Sequence, residues 1–101
     1  MKKQVTVEGN LVVVILNGSM YTEDADKLRP ELLEYIAKGY SQFSIDMGSL
    51  DYIDSAGIAT LIAVHKGVSR LGGSITLRRI KGVVKELFEM TRLGEVFQIQ
   101  D

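Results

Sequence analysis

Leu11-Val12-Val13-Val14-Ile15-Leu16 is apolar at every position and β-branched at four of them. β-branched side chains suit a pleated strand, and an unbroken apolar run suits a central strand covered on both faces. Layers on both sides of a sheet are therefore expected. Just before it, Gln4 to Glu8 alternates polar and apolar residues as a half-buried strand does, and Gly9-Asn10 can supply the positive backbone angles of a tight hairpin.

After the run, Asn17-Gly18 breaks the strand, and Thr22 followed by Glu23 and Asp24 reads as an N-cap with acids in the first helical turn. Ala25, Leu28, Leu32 and Ile36 give that helix one buried stripe, and Gly39 is its C-cap. Pro30, inside it, predicts a kink or a restart, because proline removes a hydrogen bond at a cost of about 3 kcal/mol. Phe43, Ile45 and Met47 alternate with Ser44 and Asp46 in a short strand, and Gly48 to Asp54 form a loop. A helix from Ser55 to about Leu71 ends at Gly72-Gly73. Ile75-Thr76-Leu77 is the next strand, Val83, Val84, Leu87, Phe88 and Thr91 have helical spacing, and Val96 to Ile99 closes as an edge strand. The order β-β-α-β-α-β-α-β predicts an α/β fold: one small domain over residues 1–101, with a mixed sheet and about three helices.

A chain of 101 residues, 46% hydrophobic and 25% charged, has room for one core and should fold alone. Twelve Lys and Arg against thirteen Asp and Glu leave a net charge of -1, so no overall field draws nucleic acid or an anionic membrane. Arg78, Arg79, Lys81 and Lys85 form a local basic group, but Glu86 and Glu89 follow, as at a solvated helix entrance. The chain has no cysteine, which removes thiolate chemistry and fits a reducing compartment, so the cytoplasm is expected. Glu8 and Gly9 interrupt the N-terminal stretch before any long apolar segment, against a signal peptide, and no run approaches the roughly twenty residues of a membrane span.

The helix starting at Ser55 has two unlike sides at ~100° per residue. Ile58, Leu61, Ile62, His65 and Val68 share the side expected to meet the sheet, while Ala56, Ala59, Ala63 and Gly67 line the other. Small residues there either let another segment of the chain approach or leave a flat face for a partner. Asp54 and Ser55 are ordinary caps for a helix start. A serine at this place can also carry phosphate, because exposed N–H groups at the positive helix end welcome an anion. The phosphate adds about -1.5 to -2 charge beside Asp51 and Asp54, with no nearby counter-ion evident in the sequence. A hundredfold loss of partner affinity needs only about 2.7 kcal/mol, so one phosphate suffices for a switch.

Ile45-Asp46-Met47, Leu50 and Ile53-Asp54-Ser55-Ala56-Gly57 resemble, in order and spacing, the phosphorylation motif of the anti-sigma factor antagonists, whose domain is called STAS. Gly72-Gly73, Val83-Val84, Leu87-Phe88, Leu93 and Phe97 extend the resemblance along nearly the whole chain. It implies a bacterial, cytoplasmic phosphoprotein in transcription regulation. The unphosphorylated form would bind an anti-sigma factor that is also a serine kinase, releasing a sigma factor; phosphorylation at Ser55 would break the complex, and a PP2C-type phosphatase would restore it. The implied partner surface is Asp54, Ser55, Ala56, Gly57, Ala59 and Ala63, with Tyr21 and Thr22 from the neighbouring loop. The family often has a second hydroxyl after the serine, where this chain has Ala56. It commonly reads Glu-Leu-Asp where this chain has Ser19-Met20-Tyr21.

An enzyme reading fails on spacing. A Gly-x-Ser-x-Gly elbow is broken at Ile53, and His65 lies ~15 Å along the helix from Ser55, beyond the reach of a nucleophile's base. No Walker-type loop, Gly-x-Gly-x-x-Gly or histidine-rich spacing points to a cofactor or a metal. The competing role is a STAS-type scaffold in a stress-signalling or transport complex, working without phosphorylation at Ser55.

Overall fold

Two bulges in one strand decide where the site is placed. The computed structural model describes residues 1–100 and gives β1 Lys2–Glu8, β2 Leu11–Met20, α1 Thr22–Ala37, β3 Gln42–Ile53, α2 Ser55–Arg70, β4 Ser74–Arg78, α3 Gly82–Met90 and β5 Gln98–Gln100, with a short 3-10 turn at Leu93–Glu95. The sheet order is β1-β2-β3-β4-β5, with β1 antiparallel to β2 and every later pair parallel. This is the mixed α/β fold read from the sequence, in the same element order.

The expectation of layers on both faces is overturned. Val12, Val14 and Leu16 are fully buried, whereas Leu11, Val13 and Ile15 between them are only half-buried. Register puts Phe43, Ile45, Ile75 and Leu77 on the same side as Val12 and Val14, and these too are buried. Each parallel crossover advances one strand in the same direction, and right-handed connections then set the helices on one side. His65 of α2 and Phe88 of α3 both pack against Phe97, with ring centroids 5.5 and 5.9 Å apart, which joins the helices into that single layer. On the opposite face, Leu11, Val13 and Ile15 have no helix layer above them and stay only half-buried.

β1 is also more exposed than its alternation predicts: only Val5 is half-buried, because the strand is an edge and the helix layer reaches little of it. In the hairpin turn Gly9 has φ 63° while Asn10 stays outside the positive region, the pattern of a type II′ turn. α1 runs through Pro30 without a restart. Pro30 lies on the exposed side with Asp26, so the carbonyl that loses its helical partner is free to meet water. Tyr21, not Thr22, is its N-cap, and Gly39 follows the last turn at φ 97°.

The predicted break at Asn17-Gly18 and the predicted loop from Gly48 are both strand. β2 continues to Met20 and β3 to Ile53, pairing Asn17 with Ser49, Gly18 with Leu50, Ser19 with Tyr52 and Met20 with Ile53. The register shifts at Ile15/Asn17 and again at Gly18/Ser19, each time with an extra residue on β3. Leu50 and Ile53 thereby reach the core while Asp51 and Tyr52 face outward. The twice-bulged extension carries the chain over the sheet end to α2.

Candidate functional site

Asp54 ends β3 and starts α2. Its backbone N–H donates to Met20 O at 3.1 Å, so the helix start is tied to the end of β2. Its carboxylate accepts from Gly57 N–H at 3.0 Å and from the Thr22 hydroxyl at 2.9 Å. The Gly57 N–H, aided by Thr22, holds the Asp54 carboxyl below the usual carboxylate range. Asp54 is therefore the N-cap of α2, and it couples the first turns of α1 and α2.

Ser55 follows as the first helical residue and is exposed. Its hydroxyl makes no hydrogen bond among the described residues, so capping does not use it. The Ser55 N–H precedes the first intrahelical bond, from Ile58 N–H to Asp54 O at 3.0 Å, and stays available for an anion near the hydroxyl, while the Ala56 N–H turns toward the Asp54 carboxylate.

Gly57 is buried against the sheet end. A Cβ there would lie 2.6 Å from Ile53 Cγ1 and 2.7 Å from Met20 Sδ, so only glycine lets α2 sit this close. Met20, fully buried, fills the middle of Ser19-Met20-Tyr21 where the family commonly has leucine. Tyr21 stands where the family commonly has aspartate. Its side chain makes no cap bond; instead Asp24 accepts the Tyr21 N–H at 2.9 Å. The freed phenol ring turns outward, 56% exposed, and meets Tyr52, 38% exposed, with centroids 5.7 Å apart. Sequence reading missed Tyr52, because its outward place beside Tyr21 depends on the β3 bulge, which leaves no local signal.

The two sides assigned to α2 are rotated by roughly 80°. Its core side is Gly57, Thr60, Leu61, Val64 and Val68, whereas Ile58, Ile62 and His65 are half-buried at one flank. Ala56, Ala63 and Gly67 are also only half-exposed. A Cβ on Gly67 would lie 2.9 Å from Ile36 Cδ1, so the far end of the small-residue stripe admits α1. Of that stripe Ala59 alone is exposed, near Ser55 on the outer side of the helix. The error came from centring the side on isoleucines; two small buried residues, Gly57 and Thr60, mark the true centre. Thr60 is satisfied there by donating to Ala56 O at 3.0 Å. His65 is a rim residue packed on Phe97.

The site therefore presents an exposed, uncapped-with serine at a helix N-terminus, flanked by an aromatic pair and by exposed Asp51, with no His, Lys or Arg side chain bonded to it. Among the described residues, no group of three or more His, Asp or Glu is placed to hold a metal, and no helix is long and apolar enough to cross a membrane.

The family model described as STAS domain matches residues 2–101. The chain belongs to the STAS domain family. It is a regulatory domain and not an enzyme. BtrV of Bordetella bronchiseptica, provisionally named an anti-sigma factor antagonist, is 30% identical over 89 residues, spanning 88% of this chain and 77% of BtrV. A provisionally named anti-sigma factor antagonist from Thermotoga maritima superposes with a TM-score of 0.92 at 20% identity, over 98% of this chain and 86% of that one. The antagonist SpoIIAA in its unphosphorylated form gives 0.83 at 17% identity, over 99% and 88%. Its phosphorylated form, from Bacillus, gives 0.81 at 18%, over 97% and 90%. At these identities the structural likeness establishes the STAS fold, and the site rests on this chain's own residues.

Proposed function

We propose that this protein is an anti-sigma factor antagonist whose unphosphorylated form binds an anti-sigma factor serine kinase through the Ser55 end of α2. Phosphorylation at Ser55 ends the complex, and a PP2C-type phosphatase restores the binding form. Membership of the STAS family and the likeness to BtrV support the antagonist role. The observation that carries the switch is the division of labour at the helix start: Asp54 does the capping, so Ser55 is exposed and spare.

The chemistry follows from charge. A phosphate on Ser55 lies at the positive end of α2, beside the Ser55 N–H that Asp54 leaves unused, so the fold accepts it. The same phosphate adds negative charge next to Asp51 and Asp54, where a partner shaped for the neutral serine must bury it without a counter-ion. Ala59, Tyr21 and Tyr52 extend the contact surface on either side, and aromatic residues are common anchors of such interfaces.

Incubating the purified chain with the anti-sigma kinase and ATP, followed by intact-mass measurement, tests the proposal. One phosphate is expected on the wild type and none on Ser55→Ala. By calorimetry Ser55→Ala should bind the kinase as the wild type does, and Ser55→Asp about a hundredfold more weakly, equivalent to ~2.7 kcal/mol. An unmodified wild type that still binds its partner would favour the scaffold role instead.

A further inference from the structure

β1 forms one edge of the sheet and pairs with β2 in unbroken register from Lys2↔Asn17 to Glu8↔Leu11. The two-residue turn fixes the phase of its hydrogen bonds. Glu8 and Leu11 close the turn and exchange backbone bonds, so Thr6, Gln4 and Lys2 also bond inward. The N–H and C=O groups of Lys3, Val5 and Val7 then point away from the sheet.

β1 carries charges of both signs, Lys2, Lys3 and Glu8, but few of the other devices that blunt an edge. It has no proline and no bulge, Val7 is 39% exposed, and Lys3 is neutralised by an ion pair with Glu31 of α1. The opposite edge, β5, offers three residues among those described, Gln98–Gln100.

We propose that β1 pairs antiparallel with β1 of a second copy of this chain, about a two-fold axis at Val5, joining two sheets into one. In this register Val5 faces Val5, and Lys3 faces Val7 in both directions, so every outward backbone group finds a partner. The alternate positions set Gln4 against Thr6 and Lys2 against Glu8. These are the closely spaced, non-bonded pairs in which side chains meet most directly. Moving the axis to Lys3 keeps the bonding phase but sets lysine against lysine; moving it to Val7 leaves Lys2 unanswered. Bonding phase and charge thus select one register.

Sedimentation equilibrium of the full chain, taken to millimolar concentration, is expected to show a monomer–dimer equilibrium. Lys2→Glu and Glu8→Lys should each weaken dimerisation roughly tenfold or more, since two symmetry-related attractions become repulsions. Both positions are exposed, and unchanged melting temperatures would verify that each variant folds. Mixing the two variants in equal amounts should restore a heterodimer, because each then offers the charge the other lacks. A wild type that stays monomeric, single variants that associate like the wild type, or a mixture that stays apart would each overturn the proposal.

Discussion

The starts of α1 and α2 abut, yet they are built differently. At α1 the cap residue is Tyr21, whose side chain turns away, and the free Tyr21 N–H is taken by Asp24 from within the helix. At α2 the cap is Asp54, whose carboxylate reaches forward to Gly57 N–H and across to the Thr22 hydroxyl. One helix start is closed by its own third residue; the other is closed by the residue before it. The difference teaches why Ser55 is spare. A cap supplied from outside the helix leaves the first helical side chain without a structural duty, and α2 presents a serine at that place.

The sharpest way to break the contrast is to push the two starts off the sheet end. Gly57→Val places a branched side chain where Ile53 and Met20 already stand. Overpacking of this kind costs about 2–3 kcal/mol, well beyond any gain in helix propensity over glycine, and urea unfolding should read it. Pairing it with Met20→Ala should recover part of the loss, since the two changes share one space.

Asp54→Ala comes next. It removes the cap of α2 and strands the Thr22 hydroxyl, so its urea midpoint should fall below the wild type's, whereas Asp24→Ala leaves α2 capped and disturbs the start of α1 and its ion pair with the Met1 amino group. Their pH dependence gives a further test. The folded Asp54 carboxyl lies below its ordinary value of 3.8, chiefly through Gly57 N–H. Its contribution is present above that value and disappears as pH falls through the lower, folded one. Asp54→Asn should therefore flatten the loss of stability below pH ~4 without greatly changing the acceptor geometry. Asp46, held down by the Arg79 guanidinium through bonds of 2.9 and 3.0 Å, and Asp24, held down by the Tyr21 N–H, supply acid sensitivity that remains.

The element order and the place of Ser55 were legible because apolar periodicity and glycine punctuation are local signals. The β3 extension was not, since each bulge interrupts the two-residue alternation: Gly48-Ser49 and Asp51-Tyr52 read as loop until pairing with β2 is known. The single helix layer was hidden for a related reason. Leu11, Val13 and Ile15 are as apolar as Val12 and Val14, so composition does not tell the half-buried face from the covered one. Arg79, read as part of a solvated basic group, has φ 56° and lays its guanidinium over Gly48 to reach Asp46, a contact between residues 33 apart. At the site the motif placed Asp54 and Ser55 correctly, but the outward Tyr21–Tyr52 pair required the bulge to bring it together.

The smallest expected effect is the one that most directly separates the two helix starts. If Ser55 were part of the cap, Ser55→Ala would cost about 1 kcal/mol, as loss of a capping hydroxyl does. Because Asp54 holds the Gly57 N–H and Ser55 makes no side-chain bond, the substitution should stay within ~0.5 kcal/mol of the wild type. Thr22→Val, at the start of α1, should cost more despite its similar shape, since it withdraws the hydroxyl that Asp54 accepts. Equilibrium unfolding of the two variants side by side ranks them. A larger loss for Ser55→Ala than for Thr22→Val would mean that the serine serves the fold, and its exposure at the head of α2 would no longer single it out for modification.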